Sequence, residues 1–406
     1  MIDVERIRKD FPMLQNYPDL VYFDNGATTF KPQQVIDAVM HFYTSTTSNV
    51  ERGDYPIAAE ADHLYNGARS SIARLINCRP EEVCFTAGDT ASMNQIAYGM
   101  QHDFLKAGDV ILTTEAEHAS NLLPWFRMER ESGIKVEYIP VDRQGVIHIE
   151  DVEKAMHPGV RAIAVAHVTN VLGSVQPISE IARIAHEGGA YMIVDGAQSV
   201  PHRKTDVQAM GIDFLAFSGH KMCGPSGIGV MYGRYDLLQR MQPIALGGGM
   251  NARFESCGDM TLKNAPYKFE AGTPNIEGAI GLGAAAEYLL AIGMDEINAY
   301  ETELRAYFAE QISKLDNIEF LNPDNASGPV TFNAKGVFAQ DAAGYLASRG
   351  IAVRSGNHCA KILHEIIGTD QSIRASLYFY NTRKEADRFV AAAKDISLEN
   401  AVGIFF

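Results

Sequence analysis

The chain has 406 residues, 46% hydrophobic and 21% charged, a composition that suits a globular protein long enough for two domains with sizeable cores. Its 35 Lys and Arg against 50 Asp and Glu leave a net charge of −15, which argues against nucleic acid or an anionic membrane as the main partner, so any anionic ligand must be held by a local pocket. No apolar run of about 18 residues suggests a membrane span, and the charged N-terminus, Met1-Ile-Asp-Val-Glu-Arg-Ile-Arg-Lys-Asp10, lacks the apolar core of a signal peptide. Five cysteines without a CxxC pair make a disulfide framework or a zinc site unexpected. A cytoplasmic protein with free thiols and no metal is the expectation.

In chain order, residues 1–20 read as a helix-like segment that packs with a C-terminal domain. Strand-like runs follow at Val83–Thr86, Val110–Thr113, Val136–Ile139, Ala162–His167, Tyr191–Val194, Phe214–Phe217 and Gly229–Tyr232. Between them lie helical patterns, one with Leu64, Ala68, Ile72 and Leu75, another with Ile178, Ile181, Ile184 and Ala185 that closes at Gly188-Gly189. Apolar strands alternating with amphipathic helices predict an α/β fold, a mainly parallel seven-stranded sheet between helices, spanning residues 21–285. From Ile276 to Leu315 the character is long helix, with Leu304, Phe308, Ile312 and Leu315 in one stripe, and this reads as the connection between domains. A smaller α/β domain, residues 286–406, then carries strands at Ile318–Phe320, Val330–Phe332, Ile351–Val353 and Ile373–Tyr378 and helices near Gln340–Ser348 and Arg383–Lys394. The apolar tail Gly403-Ile-Phe-Phe406 has no evident role.

In parallel α/β sheets, ligands bind beyond the carboxyl ends of the strands. After Val83–Thr86 comes Ala87-Gly88-Asp89-Thr90, a helix-opening turn whose free N–H groups could hold an anion or which Asp89 or Thr90 could simply cap. After Tyr191–Val194 comes Asp195-Gly-Ala-Gln198. A carboxylate at the end of a buried strand needs donors or a cation; it could also cap a helix, and a metal is the weaker alternative because no second carboxylate is near. After Phe214–Phe217 come Ser218, Gly219, His220 and Lys221. Lys221 could snorkel to water, or, partly desolvated, lose its proton and attack a carbonyl. Together, an anion turn, a buried carboxylate and a candidate Schiff-base lysine are what pyridoxal 5'-phosphate requires: its phosphate held, its ring nitrogen kept protonated, its aldehyde bound.

Longer motifs agree: Tyr22-Phe-Asp-Asn-Gly-Ala-Thr-Thr29, Glu117-His118, His167-Val-Thr-Asn-Val-Leu-Gly173, Phe269-Glu-Ala-Gly-Thr-Pro-Asn275, Arg354-Ser-Gly-Asn-His-Cys359 and Arg374-Ala-Ser-Leu377. In these the chain resembles fold-type I pyridoxal-phosphate enzymes of the class V aminotransferase group, and within it the SufS-type (group II) cysteine desulfurases and selenocysteine lyases. The resemblance covers nearly the whole chain. It implies that Lys221 holds the cofactor and moves a proton, that His118 stacks on the ring, that Asp195 pairs with the ring nitrogen and that Gln198 contacts the phenolic oxygen. It assigns Thr90, Ser218 and His220 to the phosphate, and Thr273 to the phosphate of a neighbouring subunit, hence a homodimer. Asn170 and Arg374, with Arg354 close by, would hold a substrate carboxylate, for which a bidentate guanidinium is suited.

Cys359 is the candidate nucleophile, in a polar loop where Arg354, His358 and Lys361 could favour a thiolate; the bland alternative is a small buried hydrophobe. Cys223 reads as packing in the Gly-rich turn after Lys221, Cys78 and Cys84 as core, and Cys257 has no assigned role. The implied activity is conversion of L-cysteine to L-alanine, with a Cys359 persulfide passed to an acceptor of the SufE or SufU kind for iron–sulfur or thio-cofactor synthesis. The alternatives are a selenocysteine lyase, an epimerase or a transaminase. Several positions depart from the family pattern: Glu51, Tyr55, Leu246, Asn357, Lys361 and Asp89. Asp89 stands where a small hydroxyl residue is usual, beside the phosphate turn, and is expected to point away and cap the helix. The Gly247-Gly-Gly-Met-Asn251 segment and its flanks resemble a hairpin that crosses to a partner's active site.

Overall fold

The computed structural model describes residues 2–403; Ile404, Phe405 and Phe406 of the apolar tail lie outside the described residues. Seven strands form the main sheet: β1 Val83–Thr86, β2 Val110–Thr114, β3 Lys135–Ile139, β4 Val160–Ala166, β5 Tyr191–Asp195, β6 Phe214–Ser218 and β7 Gly229–Gly233. Their spatial order is β1-β7-β6-β5-β4-β2-β3. Neighbours from β6 through β3 run parallel, while β7 is antiparallel to both β6 and β1.

The expected strands all form, within a residue or two at each end. Their side chains divide by the two-residue period of a pleated strand. Ile163, Val165, Met192, Val194, Leu215 and Phe217 join one core cluster, while Ala162, Ala164, Ile193, Phe214 and Ala216 join the other. Both faces of the sheet are therefore covered, which is why these strands are apolar almost throughout.

The helix Ile178–Glu187 buries Ile178, Ile181, Ala182, Ile184 and Ala185 and stops at Gly188 and Gly189, the latter at φ +74°. The helix Pro56–Ile76 packs on the helix Ile276–Ile292 at very close approach: a Cβ on Gly283 would lie 2.6 Å from the Cα of Ala68. The long helical stretch expected after Ile276 is two helices, Ile276–Ile292 and Met294–Ile312, bent by 74° about Gly293. Gly293 has φ +98°, a conformation that L side chains resist, so the apolar stripe changes direction there. Among the described residues no single helix is long and apolar enough to cross a membrane.

Past the bend, four antiparallel strands are ordered Ile318–Phe320, Val330–Ala334, Ser372–Ala375, Arg354–Gly356. Two strand readings change here. The Ile351–Val353 run is split: Ile351–Ala352 pairs in parallel with Val21–Tyr22, whereas Arg354–Gly356 pairs with Ser372–Ala375. The strand read as Ile373–Tyr378 ends at Ala375, because Tyr378, Phe379 and Tyr380 turn into an aromatic cluster with Phe11. The N-terminal segment reaches the helix Arg383–Ala393 through Arg8, which donates to the Tyr380 carbonyl at 2.7 Å and pairs with Glu385 at 3.1 Å. It also meets the main-sheet side, where Phe11 packs edge-on against Tyr288. Val21 and Phe23 are buried in the smaller core with Phe308, Phe332 and Phe389.

One buried ion pair secures the β1 edge of the main sheet. Glu270 accepts two hydrogen bonds from the Arg69 guanidinium at 2.8 and 2.9 Å, one from the Tyr65 hydroxyl at 2.9 Å and one from the Phe85 amide at 2.9 Å. Both charged side chains are less than a tenth exposed. Removing one partner of such a pair strands the other charge in the core. Glu270→Ala should therefore lower stability by about 3–5 kcal/mol, read as a drop in the urea midpoint of the transition that unfolds the main sheet.

Candidate functional site

The carboxyl ends of β1, β4, β5 and β6 converge. In register, Asp195 at the end of β5 lies between Ala166 of β4 and Ala216 of β6. Asp195 is buried and one of its oxygens accepts from the Ala197 amide at 2.9 Å. Ser218 ends β6, and Gly219–Lys221 forms a 3-10 turn directly after it. That turn is pinned by the N-terminal motif: the Thr29 amide donates to the His220 carbonyl at 2.9 Å and the Thr29 hydroxyl accepts from the Cys223 amide at 2.8 Å. Lys221 is thereby fixed at the sheet end and half-buried. Burial holds its pKa below the ordinary lysine value. Asp195 and Asp89 oppose that shift, and the guanidinium groups of Arg374 and Arg354 add to it.

The turn after β1 abuts this position. Gly88 has φ +149° and is the cap of the helix Asp89–Gly99. A Cβ on Gly229 would lie 2.5 Å from the Gly88 Cα, so the turn can sit against β7 only because Gly229 has no side chain. The Asp89 amide donates to the Ser218 hydroxyl at 2.8 Å. Contrary to expectation, Asp89 does not turn away to cap the helix. The residue is 6% exposed, Oδ1 is buried without a hydrogen-bond partner, and the charges it faces are Asp195 and Lys221.

His118 precedes the 3-10 turn Ala119–Asn121. Its Nδ1 accepts from the Ser120 amide at 3.1 Å and contacts the Ser120 hydroxyl at 3.0 Å, and that hydroxyl meets Thr90 Oγ1 at 2.7 Å. Beneath it, buried Glu117 accepts from Thr114 at 2.8 Å, Asn121 at 2.7 Å and the Ala166 amide at 2.8 Å, which ties the ends of β2 and β4 together. Burial lifts the Glu117 carboxyl to about 8 despite these donors.

The smaller core and its four-stranded sheet contribute the other half. Arg374 is buried, donates to the Asn170 carbonyl at 3.0 Å and pairs with Asp24 at 3.5 Å; burial pushes its guanidinium down to about 10. Arg354 is its register partner on the adjacent strand and is exposed. Cys359 is exposed, as read from its polar neighbours. His358 and Cys359 both have positive φ, +49° and +58°, a conformation that non-glycine residues keep only when their surroundings enforce it. Two bonds from the main-sheet side do so: the Ala119 amide donates to the Cys359 carbonyl at 2.8 Å, and Asn170 Nδ2 donates to the His358 carbonyl at 2.7 Å. One expected cation near the thiol is lost: burial, Arg374 and His364 lower His358 to about 2, so it is neutral.

Lys221, Asp195, Asp89, Ser218, His118, Thr90, Asn170, Arg374 and the Cys359 loop thus form one connected cluster. Gln198 is at its edge, with Nε2 donating to the Gly26 carbonyl at 2.9 Å. His220 is half-buried, and burial, Lys221 and Lys31 bring it down to about 4. Thr273 makes its contact elsewhere: it is exposed and accepts from Asn49 at 3.2 Å. Ser120, Glu117, Thr29 and Asp24 join the site without having been singled out one by one; only the motifs around three of them carried a signal. Cys223 and Cys84 are buried, as expected.

The Aminotransferase class-V family model matches residues 21–389. The chain belongs to this family. A probable cysteine desulfurase of Halalkalibacterium halodurans is 45% identical, with 95% of this chain and 96% of that protein covered. A cysteine desulfurase of Haloferax volcanii is 42% identical, covering 96% of each. Of the solved structures, the apo cysteine desulfurase of Thermococcus onnurineus NA1 superposes with a TM-score of 0.93 at 38% identity, covering 97% of this chain and 98% of that one. The cysteine desulfurase CsdA of Escherichia coli gives 0.91 at 34% identity, covering 100% and 99%.

The class-V site fixes the state of His118. A backbone amide can only donate, so Nδ1 must be the acceptor and the neutral ring carries its proton on Nε2. Burial lowers the ring's pKa, with Lys221, Arg374 and Arg354 adding to that and Asp195 opposing it. Nitrogen-15 NMR of histidine-labelled protein should therefore find His118 neutral at pH 7 in the Nε2–H form. A protonated ring, or the Nδ1–H form, would contradict this geometry.

Proposed function

We propose that this chain is a pyridoxal-phosphate-dependent cysteine desulfurase, which converts L-cysteine to L-alanine and takes the sulfur onto Cys359. The reading rests on the names carried by its relatives over nearly their whole length and on the fit of the site to the cofactor. That fit can be tested on the residues themselves. Three buried polar atoms without partners stand in this cluster, Asp89 Oδ1, Asn170 Oδ1 and Arg374 Nε, and such atoms suit a polar ligand. A helix N-terminus beside Ser218 and Thr90 would receive the phosphate, Asp195 would face the ring nitrogen, and Lys221 would bind the aldehyde. Bound there, the cofactor supplies the electron sink for loss of the substrate α-proton.

The chain's own groups would do the rest. Arg374, with Asn170 and Arg354, would hold the substrate carboxylate. Lys221 Nζ would accept the α-proton. The Cys359 thiolate would bond to the substrate sulfur as the Cβ–S bond breaks; the bond's electron pair stays with carbon, which takes a proton, so alanine leaves and Cys359–S–SH remains. The single observation that carries sulfur transfer is the docking of the Cys359 loop onto the His118 turn, through the 2.8 Å bond from the Ala119 amide. It holds an exposed thiol of the smaller domain against the cluster that contains Lys221.

The finer reading is a SufS-type enzyme acting as a homodimer. Exposed Phe254, Met260 and Leu246 on the hairpin Asn251–Phe254 and Met260–Leu262 and its approach would be covered by a second copy, to which Thr273 would be presented. A small acceptor protein of the SufE or SufU kind would receive the persulfide at the exposed Cys359 for iron–sulfur cluster or thio-cofactor synthesis.

Incubation of the purified holoprotein with L-cysteine and a thiol reductant should release alanine and sulfide in equal amounts. Cys359→Ser should keep the cofactor's visible absorbance and lose the protein-bound persulfide. Normal persulfide in that variant sinks the role of Cys359, and absence of both products with cysteine but turnover of selenocysteine would favour a lyase. Loss of one charged hydrogen-bonding partner is worth roughly 1.5–3 kcal/mol. Arg374→Ala should accordingly reduce kcat/KM for cysteine by about 10- to 150-fold, measured by alanine formation, with cofactor absorbance retained.

A further inference from the structure

Asp89 is a feature that the desulfurase reading leaves without a task. It opens an 11-residue helix whose N-terminus would receive the cofactor phosphate. A carboxylate at a helix N-terminus is ordinarily favourable, but this one is nine-tenths buried, and its Oδ1 has no hydrogen-bond partner. Its amide is already committed to the Ser218 hydroxyl, so the side chain and the anion turn occupy the same corner. The charged groups it faces are Asp195 from the end of β5 and Lys221 from the turn after β6. His118, on the turn packed against the same helix, faces Asp195 and Lys221 and is neutral; Thr90, Ser120 and Ser218 add only hydroxyls.

Asp89 and Asp195 are both less than a tenth exposed, and two such carboxylates beside a phosphate repel strongly when all are ionised, because water screens buried like charges poorly. Burial and Asp195 hold the Asp89 carboxyl well above the usual carboxylate range, with Lys221 only partly opposing them. In its acid form the carboxyl adds no charge and has an O–H to donate to a phosphate oxygen or to Asp195.

We propose that Asp89 is the proton-holding wall of the cofactor pocket: it must carry a proton for the cofactor to be held, so that this enzyme binds its cofactor more weakly as pH rises. The inference rests on the cofactor reading above. By linkage, above the pH at which Asp89 ionises in the free protein, binding takes up a proton and the dissociation constant rises by up to about tenfold per pH unit; below that pH Asp89 adds no slope.

The test uses pyridoxamine 5'-phosphate, which cannot condense with Lys221, on the apo form of the full chain. Its affinity is measured by calorimetry from pH 6 to 9 in two buffers of different ionisation enthalpy. The wild type should lose affinity with pH more steeply than Asp89→Asn, approaching about tenfold more per pH unit, and should take up to about one more proton per site on binding. Asp89→Thr makes the same comparison with a shorter neutral side chain if the amide variant folds poorly. Parallel pH profiles and equal proton uptake in wild type and variants would overturn the role of Asp89 while leaving the cofactor reading intact. Failure of wild type and variants alike to bind the probe would overturn the cofactor reading and this inference with it.

Discussion

A half-buried ammonium held at the carboxyl end of a sheet, beside two carboxyls, is the constraint around which this molecule is arranged. Lys221 can keep that place only because β6 runs parallel to β5, which sets Asp195 beside Ala216 and brings Ser218 and the following turn past it. Desolvation weakens the charged form of the lysine, and the neighbouring carboxyls partly restore it. The two effects leave a group whose proton is easily given up, which a nucleophilic amine needs.

The second half of the site is carried by a separate core. The strands that bear Arg354 and Arg374 pack on Phe308, Phe332 and Phe389, and nothing in that core dictates where the main sheet ends. Hydrogen bonds to backbone carbonyls help align the two: the Ala119 amide to Cys359, Asn170 Nδ2 to His358, and the Arg374 guanidinium to Asn170. These bonds also enforce the left-handed conformation of His358 and Cys359. The conformational cost is borne in the loop that carries the exposed Cys359.

Charge is distributed with equal economy. The chain is acidic overall, yet Lys221, Arg374 and Arg354 are near enough to influence one another. A local cationic pocket in an acidic protein selects anionic small molecules without attracting polyanions. His118, His220 and His358 add no charge to it near neutral pH, because burial favours their neutral rings.

The periodicity of the apolar residues determined the main sheet, since a strand buried on both faces has almost no freedom in composition; all seven strands were legible within a residue or two. The residues at their carboxyl ends, Asp195, Ser218 and Lys221, were legible for the same reason, because ligand groups of a parallel sheet can only stand where the strands stop. The break at Gly293 was not, because a glycine in a helical pattern does not announce its φ. Nor was the inward turn of Asp89: a first-turn carboxylate caps a helix in most settings, and only the packing of Gly88 against Gly229 and of the amide against Ser218 commits its side chain to the interior. Sequence also offered His358 as a positive neighbour of Cys359, whereas burial, which depends on residues from both cores, makes it neutral. The sequence by itself thus determined the chemistry at each strand end, since that depends on local pattern. Which of those groups share one dry pocket, and in what protonation state, was decided by the tertiary structure, because desolvation and charge coupling are set by neighbours distant in the chain.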